Sequence, residues 1–222
     1  MLNCKVYAQT ATEEEATRLF INKHLEKGYI EESNSLYASP FFFRKKKDRK
    51  LRSIMDYQVL NSWTIDTYPL PLINTILEHL QGKNLFTKFD IQWGYENIHI
   101  KEEDQWKAAF KTPLGLYQPC VMFFGLTNSP ATFCCTMARM FRHLVNKYPT
   151  ELFVYMDNIL IATNRDVPHH REMVNVVLTL LDKESYLLQP SKCIFKQQCI
   201  EYLGIIIDGD KLSIDPTKAE GL

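Results

Sequence analysis

No charge of either sign predominates in this chain. Its lysines and arginines total 26 and its aspartates and glutamates also total 26, so no global basic field draws it to a polyanion, and affinity for nucleic acid has to come from a local patch. No apolar run approaches the roughly 18 residues of a membrane span, and residues 1–20 are polar and acidic with no secretory leader, so a membrane role is not expected. The six cysteines (Cys4, Cys120, Cys134, Cys135, Cys193 and Cys199) include no C-x-x-C pair. Reduced thiols, and with them an intracellular protein, are expected rather than disulfides or a zinc site. Repeats and low-complexity segments are absent. What is present is 45% hydrophobic residues over 222 positions, enough for one large core or two small ones.

Thr12 followed by Glu15 reads as a capping box, and Ala16, Leu19, Phe20 and Leu25 recur near helical spacing until Gly28, which predicts a first helix. After Ser39-Pro40, the run Phe41-Phe42-Phe43 enters the charged stretch Arg44 to Lys50 and leaves it through Leu51 to Tyr57, the pattern of a hairpin with a cationic tip. Pro69 and Pro71 precede a second helix carrying Leu72, Ile73, Ile76, Leu77 and Leu80 up to Gly82.

Chemistry concentrates further on. Tyr155-Met156-Asp157-Asn158, flanked by Leu152-Phe153-Val154 and Ile159-Leu160-Ile161, reads as two short strands joined by a turn that carries an acid and an amide. Asp90 ends a similar run, Leu85 to Asp90. From Leu85 the expected order is strand, helical material culminating in Pro130 to Asn146, strand, turn, strand, a helix over about 168–184, and strands around 192–195 and 200–208. That is the β-α-β-β-α-β order of a ferredoxin-like α+β fold, in which the first strand commonly lies beside the central hairpin. Asp90 and Asp157 are then expected at one end of one sheet. Carboxylates gathered there suit divalent metals and phosphoryl transfer to a nucleotide.

The strings YASPFFFRKKKD, LRSIMDYQVLN, LFTKFDIQWGY, KAAFKT, MFFGLTNSPATF, VYMDNILIAT, LQPSKC and EYLGIIIDGD resemble, in this order, the reverse transcriptases of gypsy-type long-terminal-repeat retrotransposons. Almost the whole chain is covered. The resemblance implies a right-hand polymerase: an N-terminal helix and fingers with the basic hairpin over 1–84, a palm with the metal site over 85–208 into which a fingers portion is inserted around 101–127, and the start of a thumb at 209–222. It further implies RNA-directed DNA synthesis with deoxynucleoside triphosphates on a primed RNA or DNA template. Two Mg²⁺ ions, or Mn²⁺ in their place, would be held by Asp90, Asp157, position 158 and the Ile91 carbonyl. Lys46, Arg52 and Lys192 would serve the triphosphate. Tyr95 would stand under the sugar, with Phe124 and Gly125 beside it. Tyr155, Met156 and the Leu203-Gly204 strand would hold the primer terminus. A thumb, ribonuclease H and integrase regions of a polyprotein are the implied partners, and the cytoplasm (in a virus-like particle) or the nucleus is the implied location.

Four positions depart from the family pattern. Asn158 stands where the second turn Asp belongs, Gln58 where Arg follows Asp-Tyr, Arg49 at the usual Gly of the fingers turn, and Cys134 where a Gln follows Pro-Ala-Thr-Phe. Asn158 offers a neutral carbonyl oxygen in place of a charged ligand. Impaired incorporation is therefore expected, and the alternative is an inactive retroelement remnant that keeps primer-template binding or only its fold.

Overall fold

The computed structural model describes residues 6–45, 51–64, 73–164, 166–209 and 211–214. In chain order the elements begin α1 (Ala11–Glu26), β1 (Ile30–Glu32), β2 (Ser39–Lys45), β3 (Leu51–Met55), α2 (Gln58–Ser62), α3 (Ile73–Leu80), β4 (Leu85–Asp90), α4 (Glu102–Gln105), β5 (Phe110–Thr112) and β6 (Gly115–Pro119). They continue with α5 (Ser129–Lys147), β7 (Leu152–Tyr155), β8 (Asn158–Thr163), α6 (Val167–Lys183), β9 (Ile194–Gln197), β10 (Cys199–Tyr202), β11 (Ile205–Asp208) and β12 (Lys211–Ile214). The chain divides into two compact units, Met1–Thr67 with Tyr95–Phe133, and Tyr68–Gly94 with Cys134–Leu222.

The first unit is built on a five-stranded sheet in the order β1-β6-β5-β2-β3, whose core gathers Ile21, Phe41, Tyr57, Phe110, Val121 and Phe123. Strands β2 and β3 form the expected hairpin, with Arg44 opposite Arg52, and the tip at 46–50 lies outside the described residues. Helix α1 corrects the expectation in two respects. Its capping box is Thr10 with Glu13, not Thr12 with Glu15: the Thr10 hydroxyl accepts from the Glu13 N–H at 3.4 Å, and the Thr10 N–H donates to the Glu13 carboxylate at 2.8 Å. Both threonines precede a glutamate by three residues, so spacing alone could not separate them. Its inward face is Thr17, Ile21 and His24 with Phe20 packed alongside, whereas Leu19 and Leu25 are exposed. Two aromatic-type rings, Phe20 and His24 at 4.0 Å, replace the aliphatic stripe.

The second unit carries a four-stranded sheet in the order β7-β8-β4-β9, every pair antiparallel. With α5 between β4 and β7 and α6 between β8 and β9, this is the expected ferredoxin-like β-α-β-β-α-β order. Strands β4 and β8 are buried along nearly their whole length. That explains why β8 reads as a nearly continuous apolar run rather than an alternating one, whereas β4 also carries Thr87, Lys88 and Asp90.

The C-terminal strands differ from expectation. Lys192 ends a short 3-10 turn (Pro190–Lys192), so the closing strand of the motif is β9. The stretch 200–208 is not one strand: Leu203 and Gly204, at φ 54° and 85°, make the two-residue turn between β10 and β11, which pair with β12 in a separate three-stranded sheet. Positive φ at both loop positions is what a type I′ hairpin turn demands, and the glycine supplies one of them without strain.

One imidazole stitches the second unit together. His170 on α6 is fully buried, with Nε2 at 2.7 Å from the Thr87 hydroxyl of β4 and Nδ1 at 2.9 Å from the Thr163 hydroxyl of β8. Thr87 in turn accepts the Lys196 N–H of β9 at 3.2 Å. Burial above all, with Lys196 and His169 adding to it and Glu151 opposing, holds the His170 pKa below its ordinary 6.5. The folded state therefore resists a proton that the unfolded chain accepts, so stability falls as pH drops through about 6.5 and stops falling below the folded-state pKa. Urea unfolding at about pH 8 and about pH 5.5 tests this. The unsubstituted chain should lose more stability on acidification than His170→Gln, and equal losses would contradict the assignment.

Candidate active site

Asp90 is the last residue of β4, and its register partner is Asn158, the first residue of β8. The turn between β7 and β8 is thus Met156-Asp157 alone, and Asn158 belongs to the ladder, a correction to the expected acid-and-amide turn. Met156 takes φ 54°, the positive value that the first position of a two-residue hairpin requires and that a side chain tolerates poorly. Below it the Cys134 thiol donates to the Met156 thioether at 3.0 Å. Burial raises the Cys134 pKa, which keeps the proton this contact uses.

Backbone bonds fasten the acids to one another. The Ile91 N–H donates to the Asp157 carbonyl at 2.9 Å. Ile91 is further bracketed by bonds from the Gln189 N–H to the Asp90 carbonyl (2.9 Å) and from the Gln92 N–H to the Leu187 carbonyl (2.8 Å). Asp90 and Asp157, remote in numbering, stand at the same end of the same sheet.

The electrostatics are those of a compensated pair. The Asp90 side chain is only 12% exposed, and the Lys192 ammonium lies 3.3 and 3.4 Å from its two carboxylate oxygens. The Asn158 amide donates to Asp157 Oδ1 at 2.9 Å, turning its N–H rather than its oxygen toward the acid. Asp157 has its pKa raised, first by burial and then by the Asp90 charge; its own backbone N–H, Lys192 and the Asn158 amide pull it back. Among the described residues no three His, Cys, Asp or Glu side chains converge. The donor set is two carboxylates, whose hard oxygens suit Mg²⁺ or Mn²⁺.

Tyr155 sits opposite Asn158, and with Leu203 it packs on the core of Phe86, Ile200 and Tyr202. Leu203-Gly204, expected as a strand, is the turn that tips the β10–β11 hairpin.

The remaining expected residues lie in the first unit, apart from Lys46, which with Arg49 lies outside the described residues. The Arg52 guanidinium stands 5.7 Å from the centre of the Phe124 ring, and Tyr95 meets that ring edge-on at 4.8 Å. Phe124 is 66% exposed. Arg44, Lys45, Arg52, Phe124 and Gly125 line one depression. Like charges directly opposite in a sheet repel, so the Arg44–Arg52 pair favours an anion nearby. Gly125 takes φ 108°, and a Cβ there would meet the Met55 carbonyl oxygen at 3.3 Å and the Tyr57 ring at 3.4 Å. The close approach expected of Gly125 is thus made by its own chain. Sequence reasoning overlooked Asn61, whose amide donates to the Gly125 carbonyl at 2.7 Å and whose oxygen accepts the Thr127 N–H at 2.9 Å. Its only sequence signal is its place at the end of the LRSIMDYQVLN string.

Residues 44–207 match the family model described as reverse transcriptase (RNA-dependent DNA polymerase). The chain is 35% identical, over 98% of its length, to the retrovirus-related Pol polyprotein from transposon 297 of Drosophila melanogaster, and covers 21% of that protein. It is 34% identical to the transposon Tf2-7 polyprotein of Schizosaccharomyces pombe, over 83% of this chain and 14% of that one. The chain therefore spans about a fifth of these relatives or less. Among solved structures, the foamy viral protease-reverse transcriptase in complex with RNA/DNA hybrid superposes at a TM-score of 0.85 with 20% identity, covering 98% of this chain and 29% of that one. The prototype foamy virus protease-reverse transcriptase gives 0.81 with 23% identity, over 92% and 27%. These likenesses support the α+β polymerase fold.

Two substitutions test the site's construction. Lys192→Met removes a cation from Asp90, so Mn²⁺ should bind a few-fold more tightly by electron paramagnetic resonance titration, a modest gain because Lys192 is largely exposed. Unchanged or weaker binding would show that the ion pair does not compete with metal. Gly125→Ala should destabilise the chain by about 1 kcal/mol or more, since it adds a strained φ to a tight contact. A denaturation midpoint equal to that of the unsubstituted chain would exclude the strain.

Proposed function

The chain belongs to the reverse transcriptase (RNA-dependent DNA polymerase) family, and we propose that it is the polymerase domain of a gypsy-type long-terminal-repeat retrotransposon polyprotein. It extends a primer along an RNA or DNA template with deoxynucleoside triphosphates. The observation that carries this reading is the meeting of Asp90 and Asp157 at one sheet end, enforced by the Asp90–Asn158 register and the Ile91–Asp157 bond.

The residues fit a divalent ion. Lys192 already places positive charge against both oxygens of Asp90, where a cation is welcome, and Asp90, Asp157 and the Ile91 carbonyl are oxygen donors of the right kind. Bound there, Mg²⁺ or Mn²⁺ supplies Lewis acidity toward the primer 3′-hydroxyl and the attacked phosphate. The protein's own residues supply position and charge. Arg52, with Lys46, neutralises the triphosphate, and a planar guanidinium can grip it bidentately. Tyr95 and Phe124 present aromatic surface to the sugar and base. Tyr155, Met156 and the Leu203-Gly204 turn support the primer end. Lys192, held on Asp90, exchanges that partner for triphosphate oxygens. The thumb, ribonuclease H and integrase regions of a longer polyprotein complete the machine, which works in the cytoplasm within a virus-like particle or in the nucleus.

Asn158 sets the rate. A neutral amide in place of a carboxylate removes one charge from the ion site, and its N–H is spent on Asp157. Metal is held more weakly, so incorporation falls while folding does not. The same observation favours a second reading, a remnant that binds primer-template through phosphate contacts without extending it.

Primer extension by this chain and by Asn158→Asp, each fused to a complete thumb, decides between them. The aspartate should raise incorporation about tenfold to a hundredfold, with activity lost on removal of divalent metal. Equal activity in the two refutes the charge argument. No extension by either, alongside salt-dependent binding in a gel shift, establishes the binding remnant.

A further inference from the structure

A lysine stands where an apolar residue would pack. Phe86, Lys88 and Asp90 share one face of β4; their register partners Ala162, Leu160 and Asn158 on β8, and Phe153 and Tyr155 on β7, share it too. Phe86, Phe153, Leu160 and Ala162 of this face close one buried cluster with Ile200, Tyr202 and Ile207 of the β10–β11 hairpin. Lys88 is partly buried in the rung below Asp90, and its ammonium donates to the Glu201 carbonyl of β10 at 3.0 Å. Taking an ammonium out of water is costly, and a methionine of similar length would fill the same space without that cost.

What the lysine adds is direction. The sheet of β4 and β9 and the sheet of β10 share no ladder among the described residues and are joined in the chain by Gln198 alone, between β9 and β10; beyond that link, apolar burial, which is non-directional, sets how one lies on the other. A charge-assisted bond fixes a distance and an angle. Glu201 precedes the Leu203-Gly204 turn by two residues, and Lys88 precedes Asp90 by two. The strut therefore joins the tip of the hairpin to the strand that ends in the acid.

We propose that Lys88 is a positioning residue: through the Glu201 carbonyl it sets where the Leu203-Gly204 turn stands relative to Asp90, and so where a primer end supported by that turn meets the acid pair. Its consequence for the primer rests on the polymerase reading, but the strut itself does not.

The test pairs Lys88→Met, which keeps the stem and loses the bond, with Lys88→Arg, which can restore it. Amide hydrogen exchange of the full chain should quicken about tenfold across residues 199–208 in Lys88→Met, leave the β4–β8 ladder near its original rate, and return most of the way in Lys88→Arg. In the Asn158→Asp background fused to a thumb, Lys88→Met should raise the KM for primer-template more than it lowers kcat. Exchange at 199–208 within about twofold of the unsubstituted chain overturns the proposal, as does a uniform acceleration that Arg does not rescue. If no variant extends a primer, the polymerase reading fails, and the exchange result still decides whether the strut exists.

Discussion

The ladder between β4 and β8 is the constraint on which the second unit's site depends. It runs without irregularity from Leu85 opposite Thr163 to Asp90 opposite Asn158. A slip of one residue would turn every side chain of β4 to the other face. Asp90 would then leave the face shared with Asn158, and Phe89 would take its place. Because both strands are covered on both sides, such a slip would misplace Phe86, Phe89, Ile159 and Leu160 together, each of them buried. The acids meet because the apolar residues leave one register available.

Two carboxylates at one sheet end repel, and the protein's own groups offset that repulsion. Lys192 covers Asp90 and the Asn158 amide covers one oxygen of Asp157, whose pKa is raised by burial first and by the Asp90 charge second. A third carboxylate at position 158 would sharpen the repulsion and deepen the attraction for metal at once. Asparagine reverses both. It favours easy folding over strong ion binding.

The apolar run of β8 and the order of elements were legible in the sequence, as was the convergence of Asp90 with the Asp157 turn, because the β-α-β-β-α-β order places the first strand beside the central hairpin. The misreadings have local causes. Thr10 and Thr12 offer the same capping spacing, so only the bonds the cap makes settle the start of α1, and spacing is equally silent on the face the helix buries. That face is partly polar, with Thr17 and His24 inside, and a hydrophobic count passes over it. The run 200–208 looked like one strand because Leu203 disguises a turn that needs positive φ. Asn61, Lys88 and Cys134 act through bonds to partners far away in the chain, and no periodicity reports those.

Three of the four positions that depart from the family resemblance, Cys134, Gln58 and Asn158, fall where folding is indifferent to them. Losing a buried Phe86 or Leu160 side chain would cost about 2 to 5 kcal/mol, a large part of a domain's whole stability. By contrast, Cys134 is buried as a small soft group under Met156, Gln58 needs only its backbone N–H, which Asp56 accepts at 3.2 Å, and Asn158 keeps its place in the ladder. Each substitution preserves the local architecture while changing what that architecture can hold. The interactions that make this chain fold and those that would make it polymerise are thus largely separate sets. Lys88 is the proposed exception, since its one bond would serve the packing of two sheets and the placement of a primer together.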